Sequence, residues 1–150
     1  QCRNSNTTST LSSTDQPGHG DFILSPNNPN DWRSPQNDNL WQGVNGINNP
    51  CPSGYRLPTE AELEEERLSW SSNSPTGAMS SALKLPLSGF RSKQDGSISY
   101  DGIFVSYLSS TINGDNIRAL MLTSGGWFNT LSSMTDVDPA SGNTVRCIKD

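Results

Sequence analysis

The chain has 150 residues, of which 31% are hydrophobic and 17% charged, with a net charge of −5. That length holds one hydrophobic core and hardly two, and the acidic balance leaves no basic patch to neutralise phosphates, which argues against nucleic-acid binding. No apolar run approaches the ~20 residues needed to span a bilayer and no signal-peptide core is present, so solubility rests on Ser, Thr and Asn, residues that favour turns and caps over helix interiors.

Residues 1–18 are almost wholly polar and hold only Leu11 to bury, which predicts a linker or stalk. Their Thr-Thr-Ser-Thr-Leu-Ser-Ser-Thr core nevertheless tolerates strand geometry. The segment is therefore read in two ways: as a tail tied to its own domain, or as a strand donated to a neighbouring copy, with Cys2, Thr8, Thr10 and Leu11 at the joint. The globular domain is expected over 19–150. Its first part, 19–58, is loop-dominated, because Ser25-Pro26, Asn28-Pro29, Ser34-Pro35, Asn49-Pro50 and Leu57-Pro58 each bias the residue before proline away from helix. Trp32 and Trp41 in this stretch are expected to plug the core and hold the loops down.

One helix is well signalled. Thr59-Glu60-Ala61-Glu62 fits a capping box, with Leu63 and Leu68 following on a buried side. Asn73, Pro75 and Gly77 are expected to end any helical tendency. Downstream, Leu83–Leu87, Ser97–Tyr100, Ile103–Leu108, Ile117–Leu122, Trp127-Phe128 and Thr144–Ile148 read as antiparallel strands, separated by Asp95-Gly96, Asp101-Gly102, Asn113-Gly114 and Ser124-Gly125-Gly126 turns. Pro86 cannot donate to a ladder and marks an edge or a bulge. The fold class is α+β, with one or two helices on a small twisted antiparallel sheet and long loops.

Catalysis has little to stand on. His19, in a Gly-His-Gly loop, is the only histidine, so neither a Ser-His-Asp set with a spare His nor a multi-His zinc site can be assembled. Glu60, Glu62, Glu64, Glu65 and Glu66 lie on one helix and are read as its solvent face, not as a hydrolytic carboxylate pair. The hard oxygens of Asn30-Asp31, Asn37-Asp38-Asn39, Asp115-Asn116, Asp136 and Asp138 are the kind Ca²⁺ prefers, and they mark candidate ligand or calcium loops. None matches the twelve-residue calcium loop, and Asx residues in turns more often bond their own backbone. The metal is left unassigned, with no other cofactor expected.

Two segments carry a resemblance: Asn49-Pro50-Cys51-Pro52-Ser53-Gly54-Tyr55-Arg56-Leu57-Pro58-Thr59-Glu60-Ala61-Glu62, and the terminal Gly142-Asn143-Thr144-Val145-Arg146-Cys147-Ile148-Lys149-Asp150. Together with Leu83–Arg91, Asp95-Gly96-Ser97 and Ser106-Tyr107-Leu108-Ser109-Ser110-Thr111, they make residues 20–150 similar to the Fibrobacter major paralogous domain, a family of bacterial extracytoplasmic domains related to the C-type-lectin-like fold. The resemblance implies a C-type-lectin-like domain with its termini close together, variable ligand-facing loops, and a disulfide between Cys51 and Cys147 closing about 96 residues. Cys2 is then left over, free, intermolecular or modified. The formylglycine-generating enzymes share the fold distantly but use an active-site cysteine pair. Here two of the three cysteines take the structural positions, so that activity is read as absent. The Glu-Pro-Asn, Gln-Pro-Asp and Trp-Asn-Asp triplets of calcium-dependent sugar binding are missing, and Leu108 stands where the family usually has an aromatic.

The expected function is that of a non-enzymatic module at the bacterial cell surface or outside the cell, binding a surface ligand such as a glycan or protein. The alternative is a structural subunit of an extracellular filament or pilus, polymerised through the N-terminal tail.

Overall fold

A computed structural model describes residues 4–125 and 131–150. Cys2 and the Trp127-Phe128 strand lie outside the described residues. The chain is a small α+β fold in which a five-stranded sheet carries helices on one face and loops on the other.

In chain order the elements are β1 (Thr7–Thr8), β2 (Phe22–Ile23), β3 (Tyr55–Arg56), α1 (Glu60–Leu68), α2 (Pro75–Ser80), β4 (Ser88–Arg91), β5 (Ile98–Asp101), β6 (Phe104–Asn113), β7 (Asn116–Thr123), β8 (Ser132–Val137) and β9 (Ile148–Lys149). The large sheet has the order β5-β4-β6-β7-β8, antiparallel except where Gly89 of β4 meets Val105 of β6. A two-residue loop joins β6 to β7. Gly114 at its first position has φ 59°, the positive value that primed hairpin turns require.

Alternation sorts the side chains. Val105, Tyr107, Leu120 and Leu122 point to the helical face, where Leu63, Ala78 and Leu85 meet them. Leu108, Ile117 and Ala119 point the other way, under Trp41 of the loop layer. Ile23, Trp32 and Ala140 form a third cluster within that layer.

The capping box of α1 forms as its sequence predicts. Thr59 Oγ1 accepts the Glu62 N–H, and the Glu62 carboxylate accepts the Thr59 N–H. Leu63 is buried, but Leu68 is 68% exposed, because α1 ends there and the chain turns away. The residues expected to stop helix formation begin a second helix instead. Ser74 caps α2 by accepting the Gly77 N–H, and Pro75 sits in the first turn, where its missing N–H costs nothing. Leu83–Leu87 is not a strand. Lys84 has φ 49° and Leu85 N–H donates back to Ala78 O, so the three leucines fill the core from a coil. Pro86 lies in that coil, and its carbonyl accepts the Tyr107 hydroxyl at 2.7 Å. The polar strand β8 escapes sequence reading because an edge strand needs little apolar pattern.

Between Leu108 and Ile112 the β6–β7 register slips, and Ser109-Ser110-Thr111 forms the bulge. Ser109 Oγ donates to Arg118 O, Ser110 N–H to Pro58 O, and Thr111 Oγ1 accepts the Glu60 N–H. The Ser-Ser-Thr triplet thereby fastens the start of α1 to the sheet.

The C-terminal segment enters where β4 and β6 diverge, pairing Gly142 with Arg91 and Thr144 with Tyr107. Gly142 is required there, since a Cβ would lie 2.8 Å from Arg91 Cβ and 3.1 Å from a Phe22 ring carbon. Only the last residues continue as β9, against β3. Cys51 and Cys147 are disulfide-bonded, with Cα atoms 5.8 Å apart. No helix among the described residues is long and apolar enough to cross a membrane.

Candidate functional site

The N-terminal segment lies along its own chain. β1 pairs in parallel with β2, Asn4 N–H donates to Gly20 O, and farther on Ser12 exchanges hydrogen bonds with Trp32 and Ser34. Thr8 O accepts the Leu24 N–H, Thr8 Oγ1 accepts the Thr10 N–H, and Leu11 stays 39% exposed. Having run beside 20–34, the chain turns at 15–20, and this turn overhangs a cleft of about 760 Å³.

Asp15 to Gly20 form one wall of the cleft. Trp32, Trp41 and Asn48 come from the loop layer, and Pro50, Asn143 and Val145 close the remaining side. Each wall is fixed by specific contacts. Asp15 Oδ1 lies 2.8 Å from Arg33 Nε, off the hydrogen-bonding direction, so that contact is an ion pair; the same oxygen accepts Asn37 Nδ2 at 2.9 Å. Asn48 Nδ2 donates to Asp15 O, tying the overhang to the loop below. His19 Nδ1 accepts the Asp21 N–H. The disulfide brings Pro50, one residue before Cys51, to Val145, two residues before Cys147.

Trp41 has φ 63°, a value that a bulky residue adopts only when its surroundings impose it. Its N–H donates to Ile47 O, and the adjacent Gln42 side chain donates to Ser110 O in the bulge. The half-buried indole rests on the Leu108–Ile117–Ala119 cluster. Trp32 is 5% exposed and belongs mainly to the core.

The candidate oxygen loops fall elsewhere. Gln36 Nε2 reaches both Asp38 Oδ1 and Gly114 O, and Asn113 Nδ2 reaches Asp136, so residues 36–39, the hairpin with Asp115 and Asn116, and Asp136 lie in one neighbourhood. Several of their acceptors are already committed. Asn37 Oδ1 takes the Asn39 N–H, Asp136 takes Arg118 at 2.9 Å, and Asp138 takes Lys93 at 2.6 Å. Arg118 holds the Asp136 carboxyl below its ordinary range. Asn30 closes a turn onto Asn27, and its side chain donates to Asn28. Asp31 is buried, accepts the Arg33 N–H, and has its pKa raised chiefly by desolvation. Among the described residues no three His, Cys, Asp or Glu side chains are grouped so as to hold a metal ion.

Sequence reasoning did not single out this cleft, although its residues are individually conspicuous. A lone His between glycines and two tryptophans in an aromatic-poor chain were the available signals. No family model, curated protein or solved structure matches this chain.

Proposed function

We propose that this protein is a non-enzymatic binding or adhesion module acting outside the cell, with a C-type-lectin-like fold related to the Fibrobacter major paralogous domain, and that its ligand occupies the cleft under residues 15–20. The observation that carries this reading is the cleft itself. Its volume of about 760 Å³ lies within the range of small-ligand sites, and its walls are held by the disulfide and the Asp15–Arg33 pair. Its lining includes a single carboxylate, Asp15, already engaged by Arg33 and Asn37. Among the described lining residues that leaves no second acid for general acid–base hydrolysis, which suits binding without turnover. The disulfide is compatible with an oxidising, extracytoplasmic location.

The test is interferometry of the folded chain against immobilised extracellular glycans and matrix proteins, beside Val145→Trp. Val145 is exposed at the cleft wall, so a larger side chain there fills the site without disturbing the core. Binding lost in this variant is the expected result; binding that the filled cleft leaves untouched, or turnover of glycosides, esters or peptides, would overturn the reading. The second reading is a filament subunit joined through residues 1–18. It is favoured by the exposure of Leu11, the one large apolar side chain of that segment, while the hydrogen bonds that 4–14 make within their own chain favour the module. Sedimentation of the full chain at high concentration separates them, since a module stays monodisperse.

A further inference from the structure

We infer that the cleft takes an uncharged oligosaccharide, held without calcium, with the Trp41 indole as the apolar platform and the Gln16 and Asn48 carboxamides as hydrogen-bonding partners; this rests on the cleft being the binding site. Charge decides the class first. Among the described residues no Lys or Arg lines the cleft, and Arg33, behind its wall, is tied to Asp15. A phosphate, sulfate or uronate ligand would find no counter-charge among the described lining residues and would approach a molecule of net charge −5. A cationic ligand would find only Asp15, whose charge Arg33 balances.

What remains is a surface of mixed character. Trp41, Pro17, Pro50 and Val145 present flat or compact apolar groups, while Gln16 and Asn48 present carboxamides that both donate and accept. Neutral, short, bifunctional hydrogen-bonding groups beside an indole match a molecule whose ring has one apolar C–H face and a rim of hydroxyls. Gln16 Nε2 lies 3.5 Å from Asn48 Oδ1 and Asn48 Nδ2 donates to Asp15 O, which leaves Gln16 Oε1 and one N–H of each carboxamide for ligand hydroxyls. Gln16 is exposed, so its carboxamide can turn towards a ligand hydroxyl. The backbone strain at Trp41 is a separate pointer. A left-handed conformation at a tryptophan beside a cleft is held by surrounding contacts, and such strain gathers at ligand sites. Calcium has no place in this scheme, because the candidate calcium carboxylates Asp31, Asp38, Asp115, Asp136 and Asp138 do not line the cleft.

The experiment is calorimetric titration of the full chain with four neutral probes, cellohexaose, xylohexaose, mannohexaose and chitohexaose, and with hexagalacturonate as the anionic control, each with and without EDTA. At least one neutral probe should bind with a micromolar-to-millimolar Kd that EDTA does not change. Trp41→Ala should weaken it by about ten-fold or more, and Trp41→Phe, which keeps a flat ring on the core, by only a few-fold. Gln16→Ala, at an exposed position, should weaken it several-fold. The inference is overturned if no neutral probe binds below about 10 mM, if hexagalacturonate binds more tightly, if EDTA abolishes binding, or if Gln16→Ala and Trp41→Phe both bind as the parent does while Val145→Trp does too. If no saccharide binds but a matrix protein does and Val145→Trp abolishes it, the cleft is a binding site for a protein and only the saccharide class falls. If Val145→Trp leaves every interaction intact, both readings fall.

Discussion

Arg56 joins the first turn of α1, six residues on, to the C-terminus, 94 residues away. Its guanidinium holds Glu62 through two nitrogens at 2.8 Å each and Asp150 through Nε at 2.8 Å, fastening the C-terminus to the first turn of α1. Arg56 and the Thr59 bonds of the capping box bring the Glu62 carboxyl from 4.5 down to about 2. A carboxylate depressed on folding stabilises above its unfolded pKa and loses that contribution as pH falls through the folded one. Between about pH 4.5 and 2 the parent should therefore lose stability faster than Glu62→Gln. At neutral pH the variant should be about 1–2 kcal/mol less stable, a figure discounted for the partial exposure of the pair. Urea midpoints measured across pH check both; parallel curves would sink the argument. Asp31 runs the other way. Its burial raises the carboxyl pKa from 3.8, so the folded state holds its proton more tightly and stability falls as pH rises above that value. Asp31→Asn keeps an oxygen for the Arg33 N–H and removes the desolvated charge, so its urea midpoint at pH 7 should equal or exceed the parent's. A clear drop would show that the ionised carboxylate has a partner worth more than its burial costs.

The element on which the fold turns is the bulge in β6. Ordinary alternation would leave Ser109, Ser110 and Thr111 as weak strand residues; with the register slip Ser110 and Thr111 bond the chain that arrives from Pro58, while Ser109 Oγ donates across the hairpin to Arg118 O. Thr111 Oγ1 satisfies the Glu60 N–H, one of the donors that a helix start leaves without an intrahelical partner. Thr111→Val keeps the shape and removes that acceptor, so it should cost about 1 kcal/mol in chemical denaturation. A variant as stable as the parent would mean that water replaces the hydroxyl. The same bulge presents Ser110 O to Gln42, beside Trp41, and so links the docking of α1 to the strained cleft residue. α2 shows how a rule can be present and misapplied. Pro75 reads as a terminator from upstream and as a first-turn residue from downstream, and Ser74, with its side chain on the Gly77 N–H, selects the second.

For the whole molecule, the decisive constraint is the Cys51–Cys147 bridge, which holds β9 beside β3 and sets Pro50 against Val145. Replacing both cysteines with serine should lower stability by about 2–5 kcal/mol. It should also weaken any cleft ligand more than it weakens the helical face, a difference that hydrogen exchange at residues 48–50 and 143–145 would register. Exchange unchanged there, with only global stability reduced, would mean that the ladder and β4–β6 contacts hold the cleft wall unaided.

Local chemistry determined much of this by itself. The capping box of α1, the β6–β7 hairpin and the buried alternation of Ile117–Leu122 depend on residues close in sequence, whose preferences add up within one element. The resemblance of the segments around Cys51 and Cys147 to a known family anticipated the disulfide. Tertiary structure alone decided the rest. That Leu83–Leu87 fills a core from a coil, that Ser132–Val137 is an edge strand, and that a polar N-terminal segment builds a cleft wall all depend on partners more than ten residues away. Asp15 shows why. As a sequence residue it is one acid in a polar tail; its role exists only once Arg33, Asn37 and Asn48 reach it from a separate loop.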